Sequence, residues 1–364
     1  MSYPTYPNGY IYPNEVAVGL TWLPIIVTYM LLISIASGSA LILSLGVLLN
    51  IGTLRRLTPL LLTLSLAVSL VYLLGPLADL RRPDRAFYIL VSPHITPSDT
   101  YPGISLIALM AGVMWPLLII LLAAIGYITI YRGMWSSITT KVLALILAFV
   151  GMVWSMYFGL LLLTHIPLLA VLNLTPLLPV ESLLESIALA SSIALLALTA
   201  HYRSLEASTA RILGQTIIAC SLAFIALRLL QVFLLHAFKA GSPEITIFLN
   251  ALSTLNTIAL ILAALSSIVA LHLYYKSSTI SSSLLAVLAL LWVSSDRWLF
   301  TVNIQSISKT ALSIIPASLD LAAWALETIG MALLALFLYY VIHTWIIKEP
   351  MLKVERSGVM LGEH

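Results

Sequence analysis

Charged side chains make up only 9% of this 364-residue sequence, yet several stand inside long apolar runs. Arg228, Asp296 and Arg297 lie well within such runs, and Glu185 lies near the start of another. Asp320 and Glu327, seven residues apart, share one face of the last run. A charge held away from water is costly and is normally paired or reached by water. These residues read either as ion pairs that fix helix packing or as a polar track that carries protons, with Arg297 and Glu327 expected at similar depth. A second group is denser. Asp79-Leu80-Arg81-Arg82-Pro83-Asp84-Arg85 places five charges in seven residues between two apolar segments. Such a connection lies at a membrane surface, where charges stay hydrated and can meet a partner.

The elements that position these groups follow from composition. A sequence that is 61% hydrophobic, with mean hydropathy +1.08, has too little charged surface for a water-soluble core of this length. Helical crossing of roughly 30 Å of hydrocarbon needs about 20 apolar residues. Nine runs qualify, centred on Trp22–Leu49, Pro59–Leu77, Ile104–Tyr131, Val142–Val171, Ser182–Ala200, Ile212–Phe238, Ile247–Tyr275, Ser283–Val302 and Pro316–Ile347. The expected fold is an all-α, polytopic transmembrane bundle spanning residues 22–347, with an arm at 1–21 and a tail at 348–364. Ser277–Ser283 reads as a polar connection, and the small residues around Ser37–Ala40 as a place where helices approach closely.

Basic residues orient the bundle. Arg55, Arg56, Arg132, Lys141, Arg203, Arg211, Lys276, Lys348, Lys353 and Arg356 fall on the side of the C-terminus, against Arg81, Arg82, Arg85, Lys239 and Lys309 on the other. Positive residues favour the cytoplasm, so the tail is expected inside, and the arm and charged connection outside, in a multi-pass protein of the cell membrane. The first run is too long for a signal-peptide core, and no cleaved signal is expected.

Cofactor chemistry is narrowed in the same way. One cysteine, Cys220, cannot hold an iron–sulfur cluster, which needs several thiolates. No phosphate-binding glycine loop or zinc spacing occurs, and no basic-aromatic pattern argues for nucleic acid. Histidines at one side (His94, His165, His236) and the other (His201, His272, His343) make bis-histidine haem conceivable. Their places near helix ends favour hydrated or snorkelling roles instead. The expectation is a chain with no haem, cluster or metal of its own.

Two stretches carry a family resemblance. Gly75-Pro76-Leu77-Ala78-Asp79-Leu80-Arg81-Arg82-Pro83-Asp84-Arg85, followed by Ser92-Pro93, resembles the HLGRP-x-R … SP connection of the polysulfide-reductase membrane-subunit (NrfD/PsrC) family. Asp79 stands where that family often has His, and Arg81 where it often has Gly. Tyr157-Phe158-Gly159-Leu160-Leu161, leading through Thr164-His165-Ile166-Pro167-Leu168 to Pro176 and Pro179, resembles its Y-x-G-x-L-L … P-x-W … P pattern. Arg297, Asn303 and the stretch from Pro316 to Tyr340 resemble the last two helices of its longer members.

The resemblance implies a membrane anchor of an anaerobic, sulfur-respiring oxidoreductase complex that is not catalytic alone. Such an anchor exchanges electrons between a diffusible quinone, menaquinone or similar, and a ferredoxin-like [4Fe–4S] subunit. That subunit is joined in turn to a molybdopterin catalytic subunit or a multihaem cytochrome. Arg81, Arg82 and Arg85 with Asp79 would then dock the iron–sulfur partner. Quinone needs hydrogen-bond donors and an apolar channel, and Tyr29, Tyr72, Tyr157 and His165 converge on the side that carries the charged connection. Tyr157 and His165, eight residues apart, are about 12 Å apart along a helix, suited to line a slot. Interfacial placement of Tyr157 and helix capping by His165 are the alternatives. The resemblance also implies a proton route, for which the polar track of Glu185, Arg228, Asp296, Arg297, Asp320 and Glu327 is the candidate, with buried ion pairs as the alternative. A secondary transporter or channel using Arg228, Glu185 and Glu327 is the competing reading of those residues.

Overall fold

The structure is a computed structural model that describes residues 24–79, 102–165, 177–202, 207–239, 243–276, 278–303 and 321–344. Among them, nine helices are long and apolar enough to cross a membrane: α1 (Ile25–Leu48), α2 (Thr58–Leu77), α3 (Leu106–Tyr131), α4 (Ile138–Leu163), α5 (Leu177–Ala200), α6 (Ala207–Ala237), α7 (Ser253–Tyr275), α8 (Thr279–Asn303) and α9 (Leu321–Thr344). No strand occurs among the described residues. Hydrocarbon offers backbone amides no hydrogen-bond partner, so helices that satisfy them internally are the stable form for such segments. The chain is a multi-pass membrane protein.

Helices α1 to α4 form one half and α5 to α8 the other, with α1 and α4 packed on α5 and α8 against α1 along the seam. Almost every residue of α1 is buried. Its serines make this possible in an apolar setting by returning their hydroxyls to carbonyls one turn back: Ser34 to Met30 at 3.0 Å, Ser37 to Ile33 at 2.8 Å and Ser44 to Ala40 at 2.6 Å. At Gly38, among the small residues, a Cβ would fall 2.2 Å from the Ser186 carbonyl oxygen, so the α1 and α5 backbones touch there. Helix α9 stands apart. It rests on α2 and the edge of α1 and exposes most of its surface.

Helix boundaries depart from the sequence reading where polar residues sit inside helices. Ser278 caps α8 by accepting from the Ser281 amide, so Thr279–Ser283 is the first turn of that helix and not a connection. A serine cap satisfies an orphan N–H that water would otherwise serve. Helix α5 begins at Leu177, five residues ahead of the expected Ser182, and thereby gains Glu181. Helix α4 starts at Ile138 rather than Val142 and is helical to His165. Local widenings to π geometry, at Met110–Met114 ahead of Pro116 and at Tyr127–Tyr131 in α3, at Leu299–Asn303 at the end of α8 and at 342–344 in α9, have no signature in the hydrophobic pattern. Pro116 lacks an N–H, which accounts for the first.

Candidate functional site

Two polar clusters lie in the half of the bundle nearer the Ile25 end of α1. The first is aromatic. Tyr72 from the end of α2 meets Trp154 of α4 edge to face at 5.3 Å, and Trp154 meets Tyr157 the same way at 5.3 Å. All three rings are buried. Among the described residues the Tyr72 hydroxyl and the Trp154 indole N–H meet no hydrogen-bond partner, and leaving a buried donor unpaired costs on the order of 1–3 kcal/mol. Buried donors left open in this way ask for a guest. Tyr29 of α1 is buried against Gly75, where a Cβ would stand 2.3 Å from the Tyr29 Cβ. At Gly159 a Cβ would stand 2.3 Å from the Pro179 nitrogen, so the residue of the Tyr157-x-Gly159 pattern lets α4 close on α5.

The second cluster is ionic. The Arg228 guanidinium of α6 is ligated from three other helices: Glu181 of α5 accepts two bonds at 2.8 and 3.3 Å, Asp296 of α8 one at 2.6 Å, and Asn256 of α7 one at 2.9 Å. Phe224 and Phe300 lie against it at 4.9 and 5.0 Å from their ring centroids, and the π turn of α8 delivers Phe300. Arg297 serves the seam. Its guanidinium lies 3.9 Å from the Phe158 ring centroid of α4, 2.9 Å from the Glu185 carboxylate of α5, and within 3.2 and 3.4 Å of the Ser182 and Ser34 hydroxyls. The Glu185 contact is close but poorly directed. Neither Glu185 oxygen receives an aligned hydrogen bond, and Arg297 Nε and Nη1 have none to give it. Asp296 Oδ2, 4.0 Å from Arg297 Nη1, links the two guanidiniums.

The structure brings together Glu185, Arg228, Asp296 and Arg297 as one set. Glu327 does not join it. The partner of Arg297 is Glu185, and Glu327 sits on the exposed face of α9. That helix approaches the core through Trp324 and Thr328, which bond Thr28 at 3.2 and 2.7 Å. Residue 327 is turned about 100° away from residue 328. Asp320, Arg81, Arg82 and Arg85 lie outside the described residues. Asp79 and His165 end described helices, but their side chains also lie outside. Sequence reasoning missed Trp154, Glu181 and Asn256. The four-residue spacing of Glu181 and Glu185, one helical turn, was the available signal for one of them.

Among the described residues no group of three or more His, Cys, Asp or Glu side chains is placed to hold a metal ion. His236 is exposed and engages the Val232 carbonyl oxygen at 2.8 Å, His272 meets the Ser281 hydroxyl at 2.9 Å, and His343 stacks on Tyr339 at 5.8 Å.

No family model matches the chain. A curated relative decides the family: a subunit of tetrathionate reductase from Archaeoglobus fulgidus is 30% identical over 360 residues, covering 93% of this chain and 96% of the relative. The chain belongs to the polysulfide-reductase membrane-subunit family. As a member of the NrfD/PsrC family, it shares with this relative a correspondence that covers most of the bundle. Its aromatic and ionic clusters draw on successive residues of α4, Tyr157 in the first and Phe158, which carries the Arg297 guanidinium, in the second.

Proposed function

We propose that this chain is the quinone-reactive membrane subunit of a reductase complex. Quinone binds at the Tyr72–Trp154–Tyr157 cluster, and electrons pass to an iron–sulfur subunit docked on the extracytoplasmic connection that holds Arg81, Arg82 and Arg85. One observation carries this reading. Two buried donors, the Tyr72 hydroxyl and the Trp154 N–H, point no bond at protein beside Tyr157, and a quinone carbonyl is an acceptor that would take them. The relative's name, a subunit of tetrathionate reductase, supports membership of a reductase complex, and the ferredoxin-like [4Fe–4S] subunit and molybdopterin catalytic subunit are the partners that the family resemblance implies. It also favours an oxidised sulfur compound as terminal acceptor. The balance of basic residues supports a cytoplasmic C-terminus.

Oxidation of a quinol delivers two electrons and two protons. The electrons leave through the partner's clusters, and the protons need acceptors near the pocket. Glu185 takes one across the seam, since its oxygens lack aligned donors, and the other is released to water at the end of the bundle that carries the charged connection. Three carboxyl groups (Glu181, Glu185, Asp296) against two guanidiniums (Arg228, Arg297) are electrically neutral when the set carries one proton. In this role Arg297 holds Glu185 next to the aromatic pocket, and Arg228 anchors the remaining two carboxyl groups. The transport reading draws on the same residues, but Arg228 is already ligated by three helices, which favours an internal role over capture of an external substrate.

The test is Tyr72→Phe and Tyr157→Phe in the intact complex. Loss of one hydrogen bond to the headgroup, about 1–3 kcal/mol, should cut quinol-linked turnover roughly 5- to 150-fold, while dye-linked activity of the iron–sulfur and catalytic subunits persists. Quinol-linked turnover at wild-type level in both variants would place the quinone elsewhere.

A further inference from the structure

At the opposite end of the bundle three cations stand on the connections after α1 and α3 and on the first turn of α4, and the first of them joins the two connections. Arg55, in the one-turn helix Gly52–Arg56 after α1, lays its guanidinium 5.9 Å from the Trp135 ring centroid and donates to the Ser136 hydroxyl at 3.3 Å. Its Nε is buried with no partner. Arg132, in the same α3–α4 connection, lies 5.6 Å over the Tyr127 ring and donates to its hydroxyl at 3.2 Å. Lys141 stands in the first turn of α4, a turn with no acidic residue.

None of these three cations forms an ion pair with a described carboxylate. A lysine at a helix N-terminus opposes the macrodipole, so the corner is electrostatically incomplete and suited to an anion. From the same first turn of α4 as Lys141 runs an apolar stripe, Ile138, Val142, Leu145 and Phe149, all exposed and spaced at helical intervals along one face. A water-soluble anion has no use for such a stripe. An acyl chain does.

We propose that this corner binds an anionic phospholipid. Its phosphodiester is held by Arg55, Arg132 and the Ser136 hydroxyl, with Lys141 at its edge, and one acyl chain lies along Ile138, Val142, Leu145 and Phe149. The aromatic faces of Trp135 and Tyr127 keep the guanidiniums at headgroup level, as amphipathic rings do at membrane interfaces, and basic corners between helices are suited to anionic headgroups. Bound there, the lipid ties together the connections after α1 and α3. This site lies at the other end of the molecule from the aromatic pocket and does not depend on the quinone reading.

The experiment is native mass spectrometry of the full-length chain in detergent with added phosphatidylglycerol or phosphatidylcholine. The wild type should retain phosphatidylglycerol in preference. Combined Arg55→Gln, Arg132→Gln and Lys141→Gln should lower its occupancy at least tenfold, and Lys276→Gln, at another corner of the same end, should leave it intact. Lys141→Gln alone, on an exposed side chain that folding does not need, should lower it several-fold and decides the matter if the triple variant does not fold. Equal retention of the two lipids, wild-type retention by the variants, or displacement of phosphatidylglycerol by equimolar glycerol 3-phosphate would overturn the proposal. The last result would mark a soluble-phosphate site.

Discussion

Replacing Arg228 with methionine removes the one group on which four helices converge. Glu181 would be left buried without its cation, Asp296 would keep only the Arg297 guanidinium at 4.0 Å, and Asn256 would lose its donor. Breaking a buried ion pair from one side costs about 3–5 kcal/mol. One carboxylate stranded and a second left with a distant cation place this change within that range, about 4 kcal/mol. Glu181→Gln should be milder, about 2 kcal/mol for a weakened charge-assisted bond, because Arg228 keeps Asp296 at 2.6 Å and Asn256 at 2.9 Å. The combination of Arg228→Met, Glu181→Gln and Asp296→Asn removes the charges together and should recover much of the loss, as neutral replacements of buried ion networks do. Thermal unfolding in detergent, followed by tryptophan fluorescence, reads this order directly: wild type, then Glu181→Gln and the triple variant, then Arg228→Met. If Arg228→Met melts no lower than Glu181→Gln, the guanidinium is not the hub that joins α5, α6, α7 and α8.

Gly159→Ala puts a methyl 2.3 Å from the Pro179 backbone nitrogen, a contact neither backbone can avoid. Size-exclusion chromatography should show loss of folded protein, and a wild-type profile would contradict the close approach of α4 and α5. Arg82→Glu with Arg85→Glu should release the iron–sulfur partner at physiological salt while the membrane chain stays folded, as co-purification will show. The purified chain alone should be colourless, and a stoichiometric Soret band would instead establish a haem.

Hydropathy made the nine spans legible because the requirement is simple: about 20 apolar residues per crossing. It was less able to find where polar residues begin a helix. Glu181 and Ser278 are unfavourable on any apolar scale, yet Glu181 is held by Arg228, which only the folded bundle supplies, and Ser278 by the Ser281 amide of the helix it caps. Arg228, Asp296 and Arg297 announced themselves as charges in apolar runs, but their partners are set by which helices are neighbours. The pairing of Arg297 with Glu327 assumed that α8 and α9 face each other at that level, and the turn of one residue, from 328 to 327, was enough to defeat it. Trp154 resembles an ordinary interfacial aromatic in sequence. Only its open N–H between two tyrosines sets it apart.

The position of Arg297 has a mechanical consequence. The seam between the two halves of the bundle is lined in part by small residues, where Gly38 meets Ser186 and Gly159 meets Pro179, and at those points the helices have little side chain to grip. A guanidinium stacked on Phe158 of α4 and pulled toward Glu185 of α5 from its seat on α8 works as a rivet through that smooth surface. Sliding one half past the other would have to lift the cation off the ring and away from the carboxylate in the same motion. The part of the seam beside the aromatic cluster is therefore its stiffest, and any compliance between the halves belongs nearer the other end.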